Sequence, residues 1–203
     1  MITQETQQKL TPATALQLLK DGNERFLKTK RNSHDLEEEI ACTKDSQHPL
    51  AVLLSCIDSR TSSELIFDLG IGDIFSARLA GNVVNEDVLG SMEYACKVAG
   101  SKLVVVLGHT KCGAVTSACK KVELGNITAL LSKIRPAVER VEKLVADIES
   151  PEAVQQVADE NVRVAIEEIR AKSDILAEME KNGEIAIIGG MYDISTGEVV
   201  FFS

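Results

Sequence analysis

Short, uniformly apolar runs alternate along this chain with stretches of helical periodicity. Leu50-Ala-Val-Leu-Leu-Ser55, bounded by Pro49, has the length and composition of a strand buried on both faces. Residues 73–77, 102–107 and 184–188 repeat the pattern. Helical patterns over 62–68 and 85–98 separate the first three runs, and a long helical stretch from about Cys112 to Lys181 precedes the fourth. Pro136 predicts a kink or a fresh helix start near Arg135. Strands and helices in this order predict an α/β fold, a mostly parallel β-sheet flanked by helices. Ahead of it, Thr11-Pro12 reads as a cap followed by a first-turn proline, opening an N-terminal helical arm through Ala15, Leu16 and Leu19 to Phe26. A charged and polar segment over 32–48 leads into the sheet. The tail, with a turn at Ser195-Thr196-Gly197 and the β-rich end Val199–Phe202, predicts a C-terminal β-hairpin with the 184–188 strand.

At 203 residues the chain suits one domain, 1–203, with 1–31 as a dimerisation arm and 49–203 as the α/β core. Left alone, the apolar stripe of the arm has no partner, which predicts a homodimer or higher homo-oligomer. No apolar run approaches the roughly 18–20 residues of a membrane span, and residues 1–10 carry no export pattern, so no membrane partner and a cytoplasmic location are expected. A net charge of −9 and 3% aromatic residues, with no tryptophan, leave neither a basic footprint nor stacking platforms for nucleic acid.

The cysteines narrow the chemistry. There are five, an odd number that does not read as a disulfide framework. Cys42, Cys96 and Cys119 are expected to pack as small apolar residues. Cys56 ends the first strand, His109 follows the third after Gly108, and Cys112 opens the next helix, so all three fall beyond the carboxyl ends of strands, where open α/β sheets bind ligands. Two thiolates and an imidazole suit zinc, and three ligands rather than four leave a place for water. Asp58 competes for that place. Arg60, two residues on, can hold the Asp58 carboxylate bidentately and draw it off the metal. Two thiolates also cancel the charge of Zn²⁺, so a bound water should ionise above the pKa of about 7 found at a three-histidine site, giving an alkaline-leaning optimum. A cysteine nucleophile with His109 as its base remains open on these residues, as does a zinc module permanently closed by Asp58.

Cys-x-Asp-Ser-Arg over 56–60 with Gly-His-Thr-Lys-Cys-Gly over 108–113 resembles the β-class carbonic anhydrases. The similarity extends through Gly72-Asp73-Ile74-Phe75, Arg78-Leu79-Ala80-Gly81-Asn82, Glu93-Tyr94, Tyr192-Asp193 and Thr196-Gly197. It implies a lyase with one Zn²⁺ per subunit, catalysing reversible hydration of CO₂ to bicarbonate and a proton by attack of zinc-bound hydroxide. Cys56, His109 and Cys112 would be the ligands and Asp58 with Arg60 the gating dyad. Asp58 would serve as fourth ligand in a closed state. Gln47 would orient substrate, and Phe75 and Tyr94 would line its pocket, in part across a dimer interface. The same ligand set would serve a hydrolase of carbonyl sulfide or carbon disulfide. A tryptophan that supports a second, inhibitory bicarbonate site in some members is replaced here by Leu53, although Arg78 and Tyr192 match other parts of that site. His34 and His48 read as solvated loop histidines rather than proton shuttles.

Overall fold

A computed structural model describes residues 2–202. Its centre is a five-stranded sheet, β1 (Ala51–Ser55), β2 (Ile74–Arg78), β3 (Leu103–His109), β4 (Ala186–Tyr192) and β5 (Val199–Phe202), in the order β2-β1-β3-β4-β5. All pairs are parallel except β4 with β5, which closes the sheet as an antiparallel hairpin. The helices are α1 (Gln4–Lys9), α2 (Pro12–Leu27), α3 (Leu36–Thr43), α4 (Ser63–Ile66), α5 (Glu86–Glu93), α6 (Gly113–Cys119), α7 (Gly125–Leu131), α8 (Arg135–Glu142), α9 (Pro151–Lys172) and α10 (Asp174–Lys181). The expected α/β architecture is present with its helical arm, and the terminal hairpin forms with a shifted partner: β5 pairs with Gly189–Tyr192, beyond the expected 184–188 strand, because β4 runs on to Tyr192.

The uniform apolarity of β1 and β3 is explained by two covered faces. Val52, Leu54, Val104 and Val106 point to one side and pack with α5, α9 and α10 through Val88, Met92, Val162, Ile166, Ile169 and Leu176. Ala51, Leu53, Leu103, Val105 and Leu107 point to the other side, where they meet Ala15 and Leu19 of α2 and Phe67. Each residue of β1 and β3 is buried. A third cluster forms beyond the strand ends, between α6, α8 and α9, and includes Cys56 and Cys112.

Several helices depart from the sequence reading. The long helical stretch over 112–181 is five helices, broken as expected before Pro136 and again where Ser150 caps a helix opened by Pro151. The polar N-terminus forms α1, and the charged segment over 32–48 contains α3, whose Asp35 cap accepts from the amides of Glu37 and Glu38. The stripe of α2 is not left bare: Ala15 and Leu19 are fully buried against the chain's own sheet, so an unpartnered apolar face is not the reason for this helix to seek a second subunit. Gly22 lets α2 approach closely, since a Cβ there would run into the Phe67 carbonyl oxygen. Cys42 is exposed on α3 rather than packed, whereas Cys96 and Cys119 are buried as expected.

A buried ionic cluster ties the arm to the core. The Asp68 carboxylate, its side chain fully buried, accepts from Arg25 Nε at 2.6 Å and from the Asn32 amide at 3.2 and 3.1 Å. His34 is part of this cluster and not a solvated loop residue: its Nδ1 lies 2.7 Å from Glu39 Oε1 and its Nε2 3.5 Å from Asp68 Oδ1. The Ile71 amide donates to Glu39 Oε2 at 2.9 Å. Against the upward push of burial, these partners hold the carboxyls of Asp68 and Glu39 below their ordinary values. A lowered folded-state pKa means that the stabilisation is complete above the ordinary carboxylate range of about 4 and is lost as pH falls through the lowered value. Asp68→Ala is therefore expected to cost about 2–3 kcal/mol by urea unfolding at pH 7, the low end for breaking a buried pair because Arg25 is a third exposed. The difference from wild type should shrink below about pH 4; a constant difference down to pH 3 would assign the loss to packing alone.

Candidate metal centre

β1 and β3 run parallel in register, Ser55 opposite Leu107, so Cys56 and His109 leave neighbouring strands at the same end of the sheet. Lys111 adopts a left-handed φ of 55°, turning the chain so that Cys112 becomes the N-cap of α6. The result is a buried group of three donors. Cys56, His109 and Cys112 are 4%, 1% and 2% exposed, and their ligating atoms all lie within 4.8 Å of one another.

The donor set fits a tetrahedral zinc on three observations. The sulfurs are 4.0 Å apart, near the separation of about 3.8 Å that two Zn–S bonds of about 2.3 Å subtend at a tetrahedral centre. His109 Nδ1 lies 2.9 Å from the Thr110 carbonyl oxygen, the partner of an Nδ1–H donor, which leaves the Nε2 lone pair free. That Nε2 is buried without a hydrogen-bond partner, an arrangement that costs free energy in a protein unless a cation takes the lone pair. The thiols are prepared as well. The Cys112 thiol, with the Gly81 amide 3.3 Å from Sγ, holds the Cys56 thiol below its ordinary value against the upward push of burial. Cys112 is pushed upward in turn by that same hydrogen bond and by burial, and both thiols would have to give up their protons to hold a metal. The Ala114 and Val115 amides at the start of α6 oppose that rise. Cys96, by contrast, is raised to about 12 by burial and is an inert thiol.

Asp58 borders the group, its Oδ2 4.0 Å from His109 Nε2. Arg60 grips it bidentately, Nε to Oδ1 at 2.8 Å and Nη2 to Oδ2 at 2.7 Å, and the Arg60 amide adds a third bond to Oδ1 at 3.0 Å. The guanidinium holds the Asp58 carboxyl well below the usual carboxylate range, so it is an anion at every working pH. Two further residues, Thr61 and Arg78, lock this turn. Thr61 Oγ1 donates to the carbonyls of Cys56 and Asp58 at 3.1 and 2.9 Å. Arg78 donates to the same two carbonyls, Nε at 3.1 Å and Nη2 at 2.6 Å. Backbone carbonyls thus occupy donors of Arg78 that the resemblance linked to a second anion site. Neither lock has a signal in sequence spacing, because both act on main-chain atoms.

Among the described residues, no hydrogen bond or ion pair joins the remaining candidates to the three donors. Gln47 is exposed on the loop before β1. Phe75, on the edge strand β2, meets Tyr94 edge-to-face with ring centroids 6.2 Å apart. Together with Val52, Ala77 and Gly90 they wall a cleft whose lining does not include Cys56, His109 or Cys112. Tyr94 is 53% exposed and opens a π-helical turn over Tyr94–Val98 that prolongs α5.

A parallel α/β sheet carrying a Cys₂His group at its carboxyl edge defines a class of metal-dependent enzyme scaffold. The sequence profile described as Carbonic anhydrase matches residues 51–199, and this chain belongs to the β-carbonic anhydrase family of enzymes. It is 36% identical over 193 residues to carbonic anhydrase 2 of Mycobacterium tuberculosis, covering 93% of this chain and 92% of that protein. Among solved structures, the β-carbonic anhydrase CcaA superposes with a TM-score of 0.75 at 25% identity, covering 94% of this chain and 88% of the other. A tetrameric β-carbonic anhydrase from Sordaria macrospora shares the fold, with a TM-score of 0.72 at 21% identity over 94% and 97% of the two chains. Among the described residues no helix is long and apolar enough to cross a membrane.

The donor chemistry makes a direct prediction. Cobalt(II) added to the metal-free protein should produce thiolate-to-cobalt charge-transfer absorption in the near ultraviolet at one equivalent. Cys112→Ser and His109→Ala should each weaken cobalt binding at least tenfold in an optical titration. Undiminished binding in either variant would remove that residue from the ligand set.

Proposed function

We propose that this chain is a zinc-dependent carbonic anhydrase in which Cys56, His109 and Cys112 hold one Zn²⁺ per subunit and the Asp58–Arg60 pair governs the fourth position. The observation that carries the reading is the bidentate grip of Arg60 on Asp58 beside the three donors. Zinc held there supplies Lewis acidity and lowers the pKa of a water in its open position. Asp58, kept ionised and turned to Arg60, leaves that position free while presenting Oδ2 as a hydrogen-bond acceptor beside it. Without Arg60 the carboxylate is free to close the site as a fourth ligand. CO₂ is small and uncharged, so its pocket needs an apolar wall and one directing donor. Phe75 and Tyr94 provide the first and the Gln47 amide the second.

Exposure of Gln47 and Tyr94, together with the separation of the Phe75–Tyr94 cleft from the metal donors, favours a site completed by a second copy of the chain. Phe75 lies on an unpaired sheet edge, and Tyr94 and Val98 are 53% and 70% exposed on the helix beside it, an apolar surface suited to burial in a homodimer or higher oligomer. Within one domain, 1–203, the 1–31 arm would clasp the partner with the face that α2 does not bury on its own 49–203 core. Free thiols throughout fit a reducing cytoplasm.

Stopped-flow CO₂ hydration of the zinc-loaded protein between about pH 6.5 and 9 should rise with pH, with a midpoint above the value of about 7 seen with three neutral ligands. A negligible CO₂ rate beside rapid turnover of carbonyl sulfide or carbon disulfide would replace this reading with the hydrolase. Arg60→Ala should lower the hydration rate about 10- to 100-fold while zinc content stays at one per chain. Wild-type activity in that variant would show that Asp58 needs no restraint.

A further inference from the structure

The long helix α9 buries an apolar stripe of Val157, Ala158, Val162 and Ala165, and within it lies one asparagine, Asn161, only 3% exposed. A buried amide in such a stripe costs free energy unless it finds a partner. The partner of Asn161 is not on a neighbouring helix but at the metal centre: Nδ2 donates to the Gly81 carbonyl oxygen at 2.8 Å. Gly81 sits in the tight 3₁₀ turn over Ala80–Asn82 with a left-handed φ of 69°, and its own amide points at Cys56 Sγ, 3.3 Å away. The turn is packed on its other side. A Cβ at Gly81 would come within 2.6 Å of Ile134 Cδ1 and 3.3 Å of Ala114 Cβ.

We infer that Asn161 is a positioning residue for the metal centre: by holding the Gly81 carbonyl it fixes the peptide turn whose amide donates to the Cys56 ligand sulfur. Resting on the metal-centre reading above, the inference extends it to a side chain on a distant element. Such a turn has little reason to keep its geometry unaided, because Gly81 has more backbone freedom than any other residue type and the next residue, Asn82, is also left-handed at a φ of 44°. An amide hydrogen bond to a metal thiolate draws charge from the sulfur and orients its lone pairs, so its loss alters both how tightly the metal is held and the energy of thiolate-to-metal charge transfer. Asn161 touches neither metal nor substrate and acts only through Gly81.

The test compares Asn161→Leu, which keeps bulk but cannot donate, with Asn161→Ala, which removes the donor and the bulk together. Val157→Ala is the control, a truncation on the same buried stripe. Zinc affinity is read by competition with a chromophoric chelator, and cobalt(II) substitution reports the sulfur directly. Both Asn161 variants should bind zinc about 10- to 100-fold more weakly than wild type, with the cobalt charge-transfer band moved to lower energy. Val157→Ala should be destabilised in thermal unfolding yet keep the wild-type band and affinity. If Asn161→Leu and Asn161→Ala lose thermal stability but retain wild-type affinity and band position, Asn161 is only a packing residue and the inference falls, leaving the metal reading intact. If wild type itself takes up no stoichiometric zinc or cobalt, both fall. Should one variant fail to fold, the other with the control decides the matter.

Discussion

In-register parallel pairing of β1 with β3 is the constraint on which the rest of the structure depends. It sets Cys56 and His109 at the same sheet edge although more than fifty residues of chain lie between them. A one-residue slip of β1 would turn Leu53 away from α2 and Val52 and Leu54 away from α9, exchanging both faces of that strand at once. Because each face packs against its own set of side chains, the register that brings the donors together is also the one that fits both clusters. Site and core therefore specify each other.

Around the donors, the electrostatic problem is an excess of negative charge in a buried place. Each element of that charge has a local answer. Arg60 takes Asp58, the Gly81 amide takes the Cys56 sulfur, and the first amides of α6 face Cys112. The backbone that carries them is stiffened by Thr61 and Arg78, which grip carbonyls rather than side chains. Left-handed conformations at Lys111 and Asn82 show that these turns are held in place by their surroundings and not by intrinsic preference. A donor group assembled this way is organised in advance, which would lower the cost of binding a metal there.

The arm follows a different logic. Its helix α2 was legible from Thr11-Pro12 and the spacing of Ala15, Leu16 and Leu19, and the structure buries that stripe on the chain's own sheet. Besides this stripe, Gln7 and Asn23 donate to backbone carbonyls of the core, and an ionic cluster joins in: Arg25, His34 and Glu39 converge with the fully buried carboxylate of Asp68. Charged residues in a polar stretch read as solvated, so neither α3 nor the cluster could be seen beforehand. Asp68 became a buried anion only because residues 25–39 fold back over it.

The sequence by itself determined the apolar strands, half of the helix starts, the α/β class and the Cys56, His109 and Cys112 candidate set, since apolar runs, caps, prolines and donor type are properties of neighbours along the chain. It also placed Asp58 and Arg60 within reach of each other, a consequence of their spacing. Tertiary structure alone decided that Arg60 holds Asp58 rather than solvent and that Arg78 serves backbone carbonyls. It also decided that Asn161 reaches across from α9 to the Gly81 turn, and that Phe75 and Tyr94 wall a cleft whose lining excludes the donors. The physical reason is common to all of these. Periodicity records which face of an element is buried, whereas a hydrogen bond between distant elements depends on where two backbones come to lie, and that is known only after the sheet has set its register.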